Sequence, residues 1–428
     1  MNSWTKENLI GYILLSPLYL SSIILFKTPF EFYISYIPIV LLLPLFVIRN
    51  GIPKVLGSLL FFLLFTGLYG IGNGQNEVLD LLKIWINIGV SALYFYHIIL
   101  YFKKDIKKLF QLYMNLAFAI SLLGLIQVIA YLAGIEQLYT FFGVFNKWGI
   151  SEGGVFGIRM NSIYSEPSYF GSAISPAFFV SILSLTLKKS FFLSTTRSIV
   201  VVIAYLLTFS TVSYLGVFVI LILIIINYGV FRYILFALPV LIGGYFYLYS
   251  SVIEFRVRVD GITALFSGQT HSAFDVHGSS FVLYNNYTVT KQNLIQNPLF
   301  GSGLGSHQHA YEKYSLVKDF GGIYDFNSQD ANSMILRIVS ETGIAGLILT
   351  LFFISRNFQR RNESDTTDFA WILSSACLVI IVLQLLRQGN YTYNGFFFFV
   401  WMYYFIKTEI SSGESILTID AASQDVDS

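Results

Sequence analysis

Apolar stretches long enough to cross a lipid bilayer recur along almost the whole chain. A membrane-spanning helix needs about 20 mostly apolar residues, and a chain that carries many such stretches cannot bury all of them in a soluble core. A long polar segment at 251–331 interrupts this pattern once. The sequence therefore predicts an all-α integral membrane protein with one large loop.

Composition supports the same class and excludes others. Hydrophobic residues make up 55% of the chain and charged residues only 12%, which is unusual for a soluble domain. The 26 basic and 24 acidic residues nearly cancel, so no bulk positive field would attract nucleic acid, and we expect no nucleic-acid partner. The single cysteine, Cys377, rules out an internal disulfide and a multi-thiolate metal site.

Hydropathy predicts about 12 transmembrane helices. The stretch 199–226 is too long for one comfortable crossing, and Ser210, Thr211 and Ser213 mark its middle, so we predict two short helices joined by a polar turn. We also interpret the first apolar run as a retained helix, because no small-residue cleavage site follows it. The predicted spans are 9–26, 30–48, 54–72, 78–101, 108–133, 167–187, 196–211, 212–230, 232–250, 332–355, 369–387 and 393–408.

These spans divide the chain into four regions. The first, 1–250, carries nine helices and a smaller loop at 134–166. The large loop follows at 251–331 and leads into the last three helices at 332–410. The remaining tail, 411–428, is rich in serine and aspartate and is predicted to be disordered and cytoplasmic.

Basic residues in short loops predict which side of the membrane each loop occupies. They cluster in alternate loops, which are therefore predicted to be cytoplasmic: 49–54, 103–108, 188–197, 232 and 356–361. An even number of spans places both termini on that side. The loops at 134–166 and 251–331 would then emerge on the outer face, where they can approach each other.

The large outer loop combines histidines with two arginines. It contains four of the five histidines of the chain, namely His271, His277, His307 and His309. Arg256 and Arg258 follow the ninth predicted helix. Arginine stays charged and can meet a phosphate with two parallel hydrogen bonds, so these two side chains are candidate anion ligands.

The smaller outer loop ends in RMNSIYSEPSYFG, which contains Arg159, Tyr164 and Glu166. Proline in a first helical turn is ordinary, so one interpretation is a Ser165 or Glu166 helix cap followed by Pro167. The other is a site for a polar ligand, since an arginine and a carboxylate lie a few residues apart at a membrane boundary. The pattern leaves both open.

Two further arginines lie within or at the outer ends of apolar helices. Arg337 is one helical turn from Glu341, so an internal ion pair is one interpretation. Arg387 could extend towards the membrane surface. The functional interpretation is that both face a cavity that accepts an anionic headgroup, because ionisable residues inside membranes commonly mark sites.

The segment NPLFGSGLGSHQHA carries Gly301, Gly303 and Gly305 ahead of two histidines. A dinucleotide-binding fingerprint is excluded, because no strand and no βαβ unit surround these glycines. We predict instead that they let the backbone turn sharply and approach a ligand or another helix. A zinc site at His307 and His309 lacks completing ligands, so we expect no metal. These histidines can be ordinary solvated loop residues, and the functional interpretation that we favour is a histidine that accepts a proton from a substrate hydroxyl.

Four features together resemble one group of bacterial envelope proteins: the many-helix layout, the large loop before the last helices, the NPLFGSGLG turn, and the NSMILRIVSETGIAGLI helix opening. IYSEPSYFG also resembles the Glu-Pro-Ser stretch of many polysaccharide polymerases. On these segments the chain resembles the superfamily of Wzy-type O-antigen polymerases and O-antigen ligases. Many relatives carry a histidine directly before the asparagine that opens the helix after the loop, whereas this chain has Asp330, Ala331 and Asn332 there.

The resemblance implies a membrane glycosyltransferase of the bacterial inner membrane with its active site on the periplasmic face. Its donor would be a glycan on undecaprenyl pyrophosphate, and its acceptor a lipid-linked repeat unit in a polymerase of O-antigen, capsule or exopolysaccharide, or the lipid A core in a ligase. A chain-length regulator and a flippase of the same pathway would be partners. The energy is stored in the donor, so no cofactor is implied. A lipid-linked oligosaccharide flippase is the alternative from another class.

The residues expected to act are those singled out above. The candidate bases are Glu166, His307, His309 and Asp330, and the sequence does not rank them. The candidate ligands of substrate or pyrophosphate are Arg159, Tyr164, Arg256, Arg258, Arg337, Arg387 and Asn332.

Overall fold

The structure is a computed structural model that describes residues 6–28, 31–145, 147, 149–228, 231–251, 253–269, 276, 278–320, 325–362 and 369–412. The described chain is mostly helical, with one two-stranded antiparallel sheet in which Ile24 lies opposite Tyr33. The elements are α1 (Lys6–Leu15), β1 (Ile24–Phe26), β2 (Phe32–Tyr33), α2 (Tyr36–Asn50), α3 (Lys54–Gly72), α4 (Val78–Tyr101), α5 (Ile106–Leu132), α6 (Glu136–Tyr139), α7 (Pro167–Leu187), α8 (Thr195–Leu206), α9 (Thr211–Tyr228), α10 (Phe231–Ser251), α11 (Ile253–Phe266), α12 (Gly278–Gln296), α13 (His307–Tyr314), α14 (Met334–Asn357), α15 (Phe369–Arg387) and α16 (Phe396–Ser412).

Among the described residues, seven helices are long and apolar enough to cross a membrane: α3, α4, α5, α7, α9, α14 and α15. The apolar parts of α2, α8 and α16 are shorter. The membrane character of the chain therefore has structural support, whereas the twelve-span topology and the side of each loop stay predictions. The predicted tail lies outside the described residues from 413 onward.

The first predicted span, 9–26, is wrong as a single helix. α1 ends at Leu15, a 3₁₀ turn covers Ser16–Leu18, and the chain then enters β1. Pro17 is the local cause, because proline has no backbone N–H and its ring clashes with the carbonyl four residues earlier in an α-helix. Hydropathy alone detects the apolar run and misses this interruption.

The predicted division of the stretch 199–226 is confirmed. α8 ends at Leu206 and α9 begins at Thr211. In the connecting turn, the Thr208 hydroxyl donates to the Ser213 hydroxyl at 2.7 Å, and the Ser210 hydroxyl accepts from the Val212 amide at 3.3 Å. The short polar side chains thus bind to the turn and stabilise the break between the two helices.

α7 and α15 form the centre of the bundle, and most of their residues are buried. α7 contains Pro176, which leaves the carbonyl of Ser172 without its usual helical donor. The Ser175 hydroxyl donates to that carbonyl at 2.8 Å. The helix therefore continues through the proline with its backbone acceptor satisfied.

Four hydrogen bonds join connections and helix ends at one end of the bundle, which we call the cavity end. Asn76 between α3 and α4 donates to Leu304 (2.8 Å), and Met160 donates to Leu207 beyond α8 (3.0 Å). Ser333 donates to Leu385 near the end of α15 (2.9 Å), and Gln388 donates to Ser168 at the start of α7 (3.3 Å). Met160 of the smaller loop and Leu304 and Ser333 of the large polar segment are thereby held next to helix ends at this end.

The glycine-rich turn docks onto a break in α14. Gly343 has φ 63° and ψ −157°, which interrupts the helix. The amides of Ser302 and Gly303 donate to the carbonyls of Ser340 and Glu341, each at 3.0 Å, and the amide of Ile344 donates to Pro298 at 2.9 Å. The prediction that these glycines allow a close approach to another helix is confirmed, since an added Cβ at Gly303 would lie 3.1 Å from backbone atoms of α3.

The large polar segment is itself largely helical. It contains α11, α12 and α13, whose inner faces pack in a small hydrophobic cluster separate from the main core. The cluster includes Leu265, Phe281, Val289 and Tyr311. This region therefore forms a small cap with its own apolar centre rather than an irregular loop.

Candidate functional site

A cavity of about 490 Å³ opens at the cavity end. Its walls come from the smaller loop, the start of α7, the turn before α9, α12, the segment 327–332 and the end of α15. Two arginines and two carboxylates are among its lining side chains. The predicted site residues that line it are Arg159, Glu166, Asp330, Asn332 and Arg387.

Glu166 occupies the N-cap position of α7, and Pro167 is the first helical residue. The predicted helix start is confirmed, but the Glu166 side chain makes no capping hydrogen bond to the helix. Instead Glu166 Oε2 accepts a hydrogen bond from the Ser168 hydroxyl at 3.0 Å. The carboxylate is exposed and lines the cavity, so it can contact a ligand that binds there.

Asp330 and Asn332 lie in a tight turn before α14. Ala331 and Asn332 have φ values of 59° and 51°, in the left-handed region that side chains disfavour. Asp330 Oδ1 accepts from the Asn332 amide at 3.0 Å and from Asn327 Nδ2 at 3.1 Å. These bonds hold the turn, and the backbone of Asp330 packs directly on Gly389 of the opposite wall.

Arg159 and Arg387 come from different parts of the fold. Arg159 follows a short bridge between Glu152 and Ile158, and its amide donates to the carbonyl of Ser151 at 2.8 Å. Arg387 is the last residue of α15. Both side chains are half-buried, a setting in which charge-assisted hydrogen bonds to an anion are stronger than in bulk water.

Gln388 is a cavity residue that sequence reasoning missed. Its side-chain Nε2 donates to the carbonyl of Ser168 at 3.3 Å, and its Oε1 has no hydrogen-bond partner in the described part of the chain. Only 5% of Gln388 is exposed. A buried amide oxygen without a partner is costly, and a hydroxyl-bearing ligand in the cavity would satisfy it.

Two tyrosines, also missed, form an aromatic wall. The ring centroids of Tyr169 and Tyr393 lie 4.2 Å apart, and both rings line the cavity. Burial raises the pKa of Tyr393 to about 12, so its hydroxyl remains protonated near neutral pH. Aromatic faces beside hydroxyl and amide groups suit a ligand with both apolar and polar surfaces. No sequence period marks these residues, because the two rings meet only in the fold.

Arg337 lies next to the residues that line the cavity and forms a buried ion pair. Its Nε donates to Glu341 Oε1 at 2.8 Å, its Nη1 donates to the carbonyl of Gly389 at 3.2 Å, and its guanidinium lies 4.5 Å from the centre of the Tyr391 ring. The Tyr391 hydroxyl donates to Glu341 Oε2 at 2.9 Å. The predicted pairing of Arg337 with Glu341 is confirmed, and Arg337 is absent from the residues that line the cavity.

His307 is buried beside the same ion pair. Asn286 donates through Nδ2 to the carbonyls of Val282 and Phe326, which directs its Oδ1 towards the histidine. His307 Nε2 therefore donates to Asn286 Oδ1 at 3.1 Å, and Nδ1 has no hydrogen-bond partner among the described residues. Burial, and then the charge of Arg337, lower the pKa of His307 to about 3. We call Arg337, Glu341, Tyr391 and His307 the buried network.

The structure places the other candidates elsewhere. His309 Nε2 lies 3.3 Å from Asp80 Oδ2, so it links α13 to α4. Tyr164 is fully buried and donates to the carbonyl of Leu18 at 3.0 Å. Arg256 is exposed on α11, while Arg258 lies on the same helix with its side chain outside the described part. His271 and His277 also lie outside the described residues.

Metal ligands do not converge in the described part of the chain. No group of three or more histidine, cysteine, aspartate or glutamate side chains there lies close enough to hold a metal ion.

Comparison with known proteins gives no independent identification. No protein-family model matches the chain, and no curated protein matches it. Function has to be inferred from the site itself.

Proposed function

We propose that this protein is a glycosyltransferase that polymerises lipid-linked oligosaccharides at the outer face of a bacterial inner membrane. The observation that carries the proposal is the shared cavity: Arg159 and Glu166 from the smaller loop line the same space as Asp330 and Arg387, which lie more than 160 residues later in the chain. A cation pair and a carboxylate pair in one cavity match a reaction in which a diphosphate leaves and a hydroxyl loses a proton.

The two arginines would bind the pyrophosphate of the donor. As the bond between the anomeric carbon and the phosphate oxygen breaks, negative charge grows on the leaving diphosphate. A guanidinium placed at that oxygen stabilises the developing charge, and its fixed charge and planar donors need little reorganisation. The leaving group is then the undecaprenyl pyrophosphate carrier.

Glu166 is the acceptor base in this proposal. The acceptor hydroxyl oxygen forms the new bond to the anomeric carbon, and its proton passes to the carboxylate. Asp330 also lines the cavity, but two hydrogen bonds to Oδ1 engage it in its own turn. His307 is not among the residues that line the cavity, and its lowered pKa makes it a weak proton acceptor.

Other residues that line the cavity would bind the sugar of the substrate. Gln388 supplies a buried amide whose oxygen can accept from a hydroxyl, and Tyr169 and Tyr393 supply ring faces for the apolar C–H surface of a pyranose. Hydrogen bonds to a buried amide discriminate strongly between substrates that have or lack the matching hydroxyl. The cavity therefore supports both charge stabilisation and sugar selection.

The decisive experiment replaces the cavity arginines. Arg159→Ala and Arg387→Ala are expressed in a strain that lacks its own copy of the gene, with Arg356→Ala as the matched control, because Arg356 is exposed in the last turn of α14. Losing a charge-assisted hydrogen bond costs about 1.5–3 kcal/mol, or roughly 10- to 150-fold in rate. We expect both cavity variants to reach the membrane and to leave surface glycan mainly as single repeats.

The same measurements separate the rival functions. Normal chain-length ladders from both cavity variants would exclude the proposal. Long polymer that stays on the lipid carrier would instead identify a ligase. A flippase would move labelled lipid-linked oligosaccharide across liposomes without extending it, so extension by purified protein in liposomes with donor in one leaflet distinguishes catalysis from transport.

A further inference from the structure

The described residues of the stretch 135–156, which are all but 146 and 148 and which we call the interfacial segment, expose many large apolar side chains. Phe142 is 71% exposed and Val155 is 77% exposed. In water, a cluster of this kind would favour association with another surface. The other large apolar side chains exposed in the segment are Ile135, Leu138, Val144, Ile150 and Phe156.

This surface continues an apolar stripe on α5. Leu122, Ile126, Ile129 and Leu132 repeat at helical spacing, and all are exposed. α5 is one of the helices long and apolar enough to span a membrane, so this stripe faces lipid when the helix is inserted. The exposed apolar residues of 135–156 begin directly where the stripe ends, which indicates lipid as their partner.

Helix length sets the depth of the segment. The basic residues at 103–108 mark one membrane surface at the start of α5. A rise of 1.5 Å per residue takes about 20 residues to cross a hydrocarbon core of about 30 Å, which brings the chain close to Ile129. α5 continues to Leu132, so the residues that follow lie just outside the hydrocarbon, at the depth of the headgroups.

The chemistry of the segment fits that depth. The rings of Tyr131 and Tyr139 pack against each other with centroids 5.4 Å apart, and tyrosine is enriched where one end of the ring is wet and the other apolar. Lys147 pairs with Glu31 at 2.6 Å and is still nearly half exposed. Aromatic side chains and a partly solvated ion pair are suited to the headgroup layer and unsuited to the hydrocarbon.

We infer that the interfacial segment lies in the headgroup layer of the bilayer, with its exposed apolar side chains inserted at the boundary with the acyl chains. The same connection carries Ser151 and Arg159, which line the cavity. Anchoring therefore holds the cavity wall at the depth where the polar headgroup of a membrane lipid lies.

Spin labels measure this depth directly. Cys377 is the only cysteine and is fully buried, so single cysteines can be introduced into a Cys377→Ala background of the full chain in lipid nanodiscs. Phe142→Cys and Val155→Cys are labelled, with Leu122→Cys as the hydrocarbon reference and Gln308→Cys, exposed on α13, as the aqueous reference. We expect the ratio of collision with oxygen to collision with a water-soluble nickel chelate to fall between the two references.

Three results would overturn the inference. An aqueous ratio at positions 142 and 155 would place the segment in solvent, and a ratio equal to that of position 122 would place it inside the hydrocarbon. Low accessibility to both reagents, with dipolar broadening between labels, would mean that a second copy of the chain covers it. None of these readouts depends on glycan synthesis, so the inference and the proposed function can fail separately.

Discussion

The cavity and the buried network share one short backbone segment, 388–391, yet their charged groups have different surroundings. In the buried network, Arg337 is 5% exposed and Glu341 is fully buried, and each bonds the other or a neighbouring group. In the cavity, Arg387 and Glu166 remain accessible to a ligand. The carbonyl of Gly389 joins the two regions, because it accepts from Arg337 while its residue lines the cavity.

The two environments show that an ionisable residue in an apolar chain has to be interpreted through its neighbours. A charge inside a membrane protein commonly marks a functional site, and both regions contain such charges. Only one of them leaves polar groups facing an open space. In the other, Arg337 and Glu341 bond each other, and Arg337 also donates to the carbonyl of Gly389 in the cavity wall.

The largest effect on folding should follow Glu341→Gln. This substitution removes the negative charge and leaves Arg337 buried without its counter-ion. Breaking a buried ion pair in this way typically costs 3–5 kcal/mol. We expect the free energy of unfolding to fall by about that amount, measured by denaturant titration of the protein in detergent micelles. A change below about 1 kcal/mol would show that water reaches the network and that the two regions do not differ as described.

How much of this could be predicted from sequence differs between the two regions. The Arg337–Glu341 pair follows from i, i+4 spacing on one helix, and it confirms one of the two interpretations that the sequence left open for Arg337. Most of the long helices were also predictable, because an apolar run of about 20 residues is long enough to cross the hydrocarbon core of a bilayer. Pro17 ended the first of them early, since hydropathy does not register backbone geometry.

The cavity could be predicted only in part. Arg159, Glu166 and Arg387 stood out as charges next to apolar runs, but nothing local indicated that they would share a space. Gln388 and Tyr393 carry no charge and follow no period, so they gave no signal. His307 was the opposite case: its residue type suggested chemistry, and only the packing of Asn286 and Arg337 around it revealed a buried, neutral ring.

The next largest effect is a dependence of folding stability on pH that is caused by the titration of His307. Its pKa is about 3 in the folded protein and about 6.5 when unfolded, so below pH 6.5 the unfolded chain binds a proton that the folded chain does not. Folding stability should therefore decrease as pH falls. Between pH 7 and pH 5 this contributes a loss of about 2 kcal/mol.

His307→Gln tests this contribution because glutamine does not titrate. Unfolding is measured for both proteins at pH 7 and at pH 5, and the difference between the two losses isolates position 307 from all other groups. We expect the wild-type protein to lose about 2 kcal/mol more than the variant. Equal losses would place the ring in contact with water, and the buried network would then resemble the cavity.

The smallest effect on folding should follow Glu166→Gln, which makes in the cavity the same chemical change that Glu341→Gln makes in the buried network. Glu166 is exposed, and glutamine keeps an oxygen that can accept from the Ser168 hydroxyl. Stability should stay within about 0.5 kcal/mol of wild type. Under the proposed function, glycan polymerisation should nevertheless fall by roughly 10²- to 10⁴-fold, because the acceptor base is lost. A Glu166→Gln protein that unfolds easily would make this carboxylate structural, whereas a stable and fully active one would transfer the role of base to Asp330.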